Sequence, residues 1–281
     1  MANFTEYVVP FPLLLEQQAK VSKMEELLSD LENGKQQLQT ALQQLKVYRQ
    51  SLLKWSFEGR FGFAQRTPNS VIDGKLPMGW KIVELREVVE RISGGSFGSN
   101  LKSIDYVSEG VRVIRLDNIG EMEFGNDYKT FVTPEKYETI INHTVGKGDI
   151  IFSFFIFDSI RSVILSDYIE KAINKADCFL VRVSESKINK NYSAYYFSTK
   201  AIRNQLVDQI HGATRPKINT TQLKASLILL PPIEEQRIIV KEFESKLTVS
   251  DKIEETIIQS LQQAETLRQN ISKKAFEGKM V

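Results

Sequence analysis

The sequence predicts an α+β protein, in which one globular domain of mixed sheet and short helices is flanked by two long helices forming an antiparallel coiled coil. Three observations predict this fold class. A long segment near the N-terminus recurs near the C-terminus. Each copy carries apolar residues at heptad spacing. Between the copies, short apolar runs alternate with polar loops, which is typical of a mixed sheet with few helices.

The repeat runs from Pro12 to Gly59 and again from Pro231 to Gly278, and the offset of 219 residues is the same at both ends. No gap is needed, so the two copies share one register from the helix entry to the helix stop. Identical residues stand at the matched positions Pro12/Pro231, Glu16/Glu235, Gln17/Gln236, Val21/Val240, Leu28/Leu247, Leu42/Leu261, Gln43/Gln262, Gln44/Gln263, Arg49/Arg268, Gln50/Gln269, Lys54/Lys273, Phe57/Phe276, Glu58/Glu277 and Gly59/Gly278.

The apolar positions of each copy step by three and four residues, which places one narrow seam on each helix. About 40 helical residues at ~1.5 Å each make a rod of roughly 60 Å. Gly34 is a weak point in the first helix, where we expect a kink or a break. An alternative is that each helix packs on the globular domain instead. The positions assigned to the coiled coil and to partner docking are Leu31, Leu38, Leu45, Arg49, Leu52, Ile257, Leu261, Arg268 and Ile271.

These patterns divide the chain into five segments. Residues 1–11 resemble the last strand of a domain that is absent, residues 12–59 form the first helix, and residues 60–75 form a linker rich in turn residues. Residues 76–230 form the globular domain. Residues 231–281 contain the second helix.

Within the globular domain, period-two and short apolar patterns predict strands at residues 82–85, 111–116, 148–154 and 176–183. Thr133-Pro134-Glu135 predicts the start of a short helix, and residues 191–210 have helical spacing. Residues 91–103 and 211–222 are predicted loops.

The composition excludes several classes of protein. The chain has 37 basic and 35 acidic residues, so any binding of nucleic acid depends on local patches rather than on net charge. Cys178 is the single cysteine, which rules out an intramolecular disulfide and fits a cytoplasmic location. Apolar runs do not reach the ~18 residues that a membrane span needs. The N-terminus also lacks a secretory pattern.

Motifs for chemistry are missing from the sequence. The Pro-Pro pair at 231–232 lacks the flanking residues with which adenine methyltransferases grip a base, and no phosphate-binding Gly-rich loop is present. His143, His211 and Cys178 do not have metal-ligand spacing. Asp177, Glu185 and Lys187 have the order of a nuclease motif, but a solvated turn after a strand explains the same residues. We therefore expect neither a metal nor a cofactor.

Three motifs together resemble the specificity subunit of type I restriction–modification systems. Leu76-Pro77-x-Gly79-Trp80 is similar to the opening of that family's target-recognition domain, and Gly148-Asp149-Ile150-Ile151 is similar to its central strand. Residues 230–238, with the run Pro-Pro-Ile-Glu-Glu-Gln, resemble the junction between recognition domain and conserved helix. Family members normally alternate recognition domain and helix twice, whereas this sequence runs helix, recognition domain, helix.

The resemblance implies a subunit that does no chemistry. It implies that the chain reads a half-site in double-stranded DNA and docks modification subunits, which methylate adenine using S-adenosylmethionine. A restriction subunit is a possible further partner, and no membrane is involved. Because one recognition domain reads one half-site, we expect a homodimer and an interrupted palindrome as the target.

Two stretches without acidic residues, 91–103 and 209–233, favour contact with DNA. Arg suits guanine, and Asn or Gln suits adenine, in the major groove. The alternative for each residue is an ordinary polar loop, or a cap on the sheet. The predicted DNA-binding residues are Arg91, Ser96, Asn100, Lys102, Arg115, Asn118, Arg161, His211, Thr214, Arg215, Lys217 and Asn219.

Two other functions remain open at this point. The coiled coil could serve as a scaffold for partners without reading sequence, or the chain could be a self-sufficient restriction enzyme. The missing catalytic motifs argue against the enzyme.

Overall fold

A computed structural model describes residues 12–57, 76–156, 160–208, 217–277 and 279. The chain divides into two compact units. The helical unit comprises Met1–Gln50 and Ser245–Val281, and the sheet unit comprises Ser51–Glu244. The predicted remnant strand 1–11 and linker 60–75 lie outside the described residues.

Seven α-helices occur in the described part of the chain. They are α1 (Leu14–Phe57), α2 (Leu85–Val88), α3 (Pro134–Thr139), α4 (Lys190–Phe197), α5 (Lys200–Val207), α6 (Thr220–Lys224) and α7 (Ile233–Phe276). Among these residues no helix is long and apolar enough to cross a membrane. The two predicted long helices are confirmed, and α1 runs through Gly34 without the break that we considered.

In the helical unit, α1 and α7 run antiparallel, as predicted. Arg49 forms ion pairs of 2.6 Å with both Asp251 and Glu254, while Lys35 lies 3.4 Å from Glu265. Residues nearer the start of α1 therefore face residues nearer the end of α7. This register places the buried Leu45 level with the buried Ile257, so the heptad positions form the seam between the helices.

Arg49 and Arg268 occupy matched repeat positions but have different surroundings. Arg49 is half-buried and also donates from Nε to the Ser250 hydroxyl at 2.8 Å. Arg268 is exposed, and its guanidinium lies 3.8 Å from the Glu265 carboxylate. The position that faces Arg49 holds Glu254, whereas the matched position is Lys35, which repels an arginine. Arg268 is therefore exposed and does not share the half-buried contacts that Arg49 makes between the helices.

The sheet unit contains eleven strands among its described residues. They are β1 (Lys81–Glu84), β2 (Val89–Gly94), β3 (Tyr106–Val107), β4 (Val111–Ile114), β5 (Thr130–Val132), β6 (Thr144–Val145), β7 (Ile150–Ser153), β8 (Ser162–Ile164), β9 (Ala172–Asn174), β10 (Cys178–Val183) and β11 (Leu227–Leu230). The sheet orders are β1-β11, β2-β10-β7-β8 and β3-β5-β4-β9-β6, and the pair β4–β9 is parallel.

The four- and five-stranded sheets share a core. Ile151 and Leu180 from the first sheet are buried with Ile114, Val145 and Ala172 from the second. Alternate residues of the same strands point the other way. Val113 and Ile173 are buried against Tyr137 and Ile140 around α3. The five-stranded sheet is therefore covered on both faces.

All four residues of strand β7 are buried, and the turn before it is held by specific hydrogen bonds. Gly148 has a φ of +80°, a conformation that a side chain would strain. Asp149 accepts the Gly146 N–H at 2.9 Å and two bonds of 2.7 Å from Arg182 on β10. The predicted turn and buried strand at residues 148–154 are confirmed.

Three boundaries differ from the prediction. Arg91–Gly94 belong to β2 and not to a loop, because they pair with β10. The predicted helix 191–210 is two helices, since the Thr199 hydroxyl caps a new start at α5. Thr220–Lys224 form α6, capped by Asn219, where a loop was predicted. The strands predicted near residues 82–85, 111–116 and 176–183 and the helix start at Thr133 are confirmed.

Candidate nucleic-acid interface

The parallel strands β4 and β9 end side by side, so the residues that follow them leave the sheet together. Ile114 is paired with Asn174, and the Lys175 N–H donates to the Ile114 carbonyl at 3.0 Å. Lys175 Nζ lies 5.0 Å from the ring centroid of Tyr106 and contacts its hydroxyl. The guanidinium carbon of Arg115 lies 5.9 Å from the same ring. Two cations thus share one aromatic side chain.

The Gly94–Ser96 segment packs closely against this point. A Cβ on Gly95 would lie 2.0 Å from the Lys175 carbonyl oxygen, so the close approach requires glycine. The Gly95 N–H donates to Cys178 and the Ser96 N–H donates to Asn174, at 3.0 and 2.8 Å. These backbone groups are therefore engaged within the domain.

Lys217 lies at the neighbouring strand ends, beside Phe155 and Asp177. Its ammonium is 2.8 Å from Asp177, which precedes β10, and lies 5.3 and 5.2 Å from the ring centroids of Phe154 and Phe155. The Asp177 carbonyl accepts the Phe154 N–H at 2.8 Å. Lys175 and Lys217 are thus connected through the turn that carries Asp177.

Arg161 adds a fourth cation where β7 and β8 meet. Its carbonyl accepts the Ser153 N–H at 2.9 Å, next to Phe154, and its side chain is exposed. We call Arg115, Arg161, Lys175 and Lys217 the basic edge. Cations of this kind neutralise phosphates.

The other predicted residues have different surroundings. Arg91 on β2 donates to the Asn142 carbonyl at 2.5 Å. Asn100 and Lys102 are exposed and precede Tyr106 in the chain. Asn219 caps α6. His211, Thr214 and Arg215 lie outside the described residues.

Ser96 and Asn118 are fully buried. Asn118 accepts the Arg115 N–H and donates to the carbonyls of Gly125 and Tyr128, at 2.9 and 2.8 Å for the last two. Its amide holds a turn together, and both side chains lack access to an outside ligand in this conformation.

Sequence reasoning missed Tyr106 and Lys175. Their surroundings depend on the parallel pairing of β4 with β9, which lie far apart in the chain. The local signal was a lysine two residues after the short apolar pair Ala172-Ile173, and such a pattern is common.

Each residue of the nuclease-like pattern interacts with a residue outside that pattern. Asp177 binds Lys217, Glu185 lies 3.7 Å from Lys190, and Lys187 donates to the Glu87 carbonyl at 2.9 Å. Burial raises the pKa of the Cys178 thiol, which makes it a poor nucleophile. Within the described ranges, no group of three His, Cys, Asp or Glu residues is placed to hold a metal.

The helical unit carries a second kind of surface. Gln43, Gln44 and Gln50 are exposed, and so are the identical residues at the matched positions, Gln262, Gln263 and Gln269. Packing between α1 and α7 does not explain identity at exposed positions.

Comparisons with known proteins identify the family of this chain. Residues 77–263 match the sequence model described as the type I restriction modification DNA specificity domain. The chain is 24% identical to the type I restriction enzyme EcoKI specificity subunit of Escherichia coli K12, over 99% of this chain and 59% of that protein. It is 28% identical to the MjaVIII specificity subunit of Methanocaldococcus jannaschii, over 86% and 56%. The chain therefore spans less than two thirds of the length of these relatives.

Solved structures show the same fold. A structure described as the basis of assembly and conformational transition of the type I R-M system covers 96% of this chain and 61% of its own, with a TM-score of 0.73 and 20% identity. The HsdS subunit from Thermoanaerobacter tengcongensis matches with a TM-score of 0.58 and 22% identity.

Proposed function

This chain belongs to the type I restriction modification DNA specificity family, and from that premise we propose how it acts. We propose that residues 76–230 read a half-site in double-stranded DNA, and that the two long helices dock modification subunits. The chain itself carries out no catalysis in this proposal and needs no cofactor.

The observation that carries the proposal is the basic edge. Arg115, Arg161, Lys175 and Lys217 come from four separate segments and line one border of the two large sheets. Net charge is only +2, so binding of the phosphate backbone depends on local cations such as these. Two of the four are also ion-paired within the domain: Arg115 lies 3.2 Å from Asp117 and Lys217 lies 2.8 Å from Asp177. Phosphate contacts fix the orientation, and the polar residues of the nearby loops then read base edges.

Docking of the modification subunits is proposed on the exposed faces of α1 and α7. The glutamines repeated at exposed positions of both helices support two equivalent contacts. The antiparallel arrangement relates the two faces by an approximate two-fold axis, so one kind of subunit can bind twice.

We further propose that the working complex contains two recognition domains. A homodimer is the commonest assembly of identical chains and gives an interrupted palindrome as the target. A restriction subunit can join the same complex. The single, buried cysteine is consistent with action in the cytoplasm.

A footprinting experiment distinguishes a chain that reads the DNA sequence from one that only acts as a scaffold for its partners. The chain and its cognate modification subunit are incubated with a randomised DNA library, and the protected sequences are recovered. We expect one protected motif, which disappears when Lys175→Ala and Lys217→Ala are combined. Protection that is spread evenly over all sequences would mean that the chain is a scaffold without sequence reading.

A further inference from the structure

The segment that joins β2 to β3 extends from the sheet unit, and we call residues 97–104 the projecting loop. All of its residues except Leu101 are exposed. Leu101 is buried in the same cluster as Val113 and Ile173 of the five-stranded sheet. The middle of the loop is therefore anchored on the core, while the residues before and after Leu101 face solvent.

The start of the projecting loop is tied to the basic edge. Ser96, the residue directly before the loop, is completely buried. Its N–H donates to the Asn174 carbonyl at 2.8 Å, and its carbonyl accepts the Ala176 N–H at 2.7 Å. These two bonds pair Ser96 with Lys175 across the sheet border. Phe97 therefore leaves the fold one residue beyond a position that is fixed beside Lys175.

Two large apolar side chains of the projecting loop face solvent. Phe97 is 68% exposed and Ile104 is 89% exposed. Single exposed apolar residues are common on protein surfaces. Here two of them stand in one loop of eight residues, and the first is held at a fixed point next to a cation. Exposed apolar side chains grouped in this way are typical of an interaction surface.

The surroundings of the loop favour a polyanion as the partner. Acidic residues are absent from residues 91–104, and Lys102 within the loop is exposed. The ring of Tyr106, which follows the loop, lies 5.0 Å from the Lys175 ammonium and 5.9 Å from the Arg115 guanidinium carbon. A phosphate backbone bound along these cations brings bases to the position of Phe97.

We propose that Phe97 inserts between two adjacent bases of the DNA half-site and separates them. The proposal rests on the proposed function and names one residue that contributes to it. A phenylalanine ring has no hydrogen-bonding group, and in an intact duplex each base face is covered by its neighbours. The ring therefore reaches a base face only where a base step opens, as apolar side chains do in other DNA-binding proteins.

Insertion makes the domain sensitive to the deformability of the DNA. Pyrimidine–purine steps unstack more easily than other steps. The protected motif should therefore contain such a step at the point of insertion, selected without any hydrogen bond to its bases. Phe97 is in this sense a specificity-determining residue.

The test uses the fluorescence of 2-aminopurine, which rises when this base loses its stacking. Duplexes that contain the protected motif carry 2-aminopurine at single positions, outside the adenines that become methylated, and are bound by the chain with its modification subunit. We expect the emission to rise by at least about threefold at one step with the wild-type chain. Phe97→Ala should abolish the rise and weaken binding by about tenfold. Phe97→Leu should keep most of the rise, because a large apolar side chain is retained.

Two variants control the result. Tyr168→Ala removes an aromatic ring that is 63% exposed and precedes β9, whereas Lys175 follows the other end of that strand. It should change neither the affinity nor the emission. Lys175→Ala should weaken binding but leave the rise intact at saturating protein, because it removes a charge and not the inserted ring.

Three outcomes would overturn the proposal. One is a full rise in emission with Phe97→Ala at saturating protein. Another is an absent rise together with an equal loss of affinity when thymine in the motif is replaced by uracil, which would mean that the ring contacts a thymine methyl group in the groove. The third is weaker capture of the modification subunit by the Phe97→Ala chain without DNA, which would mean that protein covers the ring.

Failure of the proposed function gives a different result. If the wild-type complex protects no motif, reading of the DNA sequence fails, and the same 2-aminopurine scan is made on a duplex of arbitrary sequence. A rise there that Phe97→Ala removes would support insertion independently of sequence reading. No rise at any position would overturn the insertion as well.

Discussion

At the scale of single residues, substitution of Lys175 or Lys217 tests whether the basic edge contacts DNA. Replacing either by alanine removes one cation, so we expect weaker binding on all sequences and a salt dependence reduced by about one charge. Affinity measured at several salt concentrations, with the modification subunit present, checks this. Arg215→Ala is predicted to behave in the same way, although Arg215 lies outside the described residues.

Lys81→Ala is the control, because Lys81 is exposed on the separate β1–β11 sheet. If Lys175→Ala and Lys217→Ala match it in affinity and salt slope, the basic edge is not a DNA contact. A change in preference at one base position, instead of a uniform loss, would identify a base contact.

Asp149 is predicted to stabilise the fold rather than to act in binding. It is buried and holds the turn before β7 through Gly146 and Arg182. Asp149→Asn should lower the free energy of unfolding by about 2 kcal/mol, because hydrogen bonds to a charged group are lost and Arg182 is only partly solvated. Urea denaturation measures the change, and Asp167→Asn, at an 81% exposed carboxylate, should cost under about 0.5 kcal/mol. Equal effects would contradict this account of Asp149.

Residue types alone could not separate the candidates on the surface from those inside the fold. Ser96 and Asn118 have the polar side chains that DNA contacts use, yet the tertiary structure buries both. Lys175 carries no distinguishing local pattern and gains its surroundings from the pairing of β4 with β9. Sequence reasoning identified Arg115, Arg161 and Lys217 because they lie next to strands and loops that could be recognised.

At the scale of the elements, substitutions in the coiled coil test whether the two copies of the repeat still make equivalent contacts. Arg49→Ala should lower the free energy of unfolding of the chain by about 1–2 kcal/mol, since it breaks a half-buried network with Ser250, Asp251 and Glu254. Arg268→Ala, at the matched but exposed position, should cost under about 0.5 kcal/mol. Denaturation followed by helical circular dichroism compares them, and equal losses would show that the seam is symmetric.

The elements themselves were largely predictable. Heptads and the repeat predicted both long helices and their direction, and the apolar run after Gly148 predicted the buried β7. The boundaries of β2, α5 and α6 were not, because β2 depends on pairing with β10, and the capping residues Thr199 and Asn219 lie within polar stretches. The asymmetry between Arg49 and Arg268 required knowing that Glu254 and Lys35 occupy matched positions opposite them.

At the scale of the whole molecule, the exposed glutamines are predicted to act in assembly. Gln43→Ala combined with Gln262→Ala should weaken capture of the modification subunit while leaving the thermal stability unchanged, because both side chains are exposed. A pull-down with the purified modification subunit measures the effect. The control pair Gln18→Ala and Gln259→Ala alters glutamines that do not recur at matched positions. If the chain with Gln43→Ala and Gln262→Ala captures the modification subunit as well as the wild-type chain does, the docking surface lies elsewhere.

The homodimer is predicted to give two copies of this chain in the complex with DNA and modification subunit. Light scattering on that complex determines the number of copies. One copy together with an asymmetric target would contradict the homodimer.

Mapping of methylated adenines tests the central claim, namely that this domain selects the DNA sequence. Genomic DNA is exposed to the modification subunit with the wild-type chain, and in parallel with a chain in which Lys175 and Lys217 are replaced by alanine. We predict methylation confined to one interrupted motif with the wild-type chain, and a strong loss at that motif with the variant. Methylation at the same adenines and the same rate with both chains, or without any chain, would contradict the account.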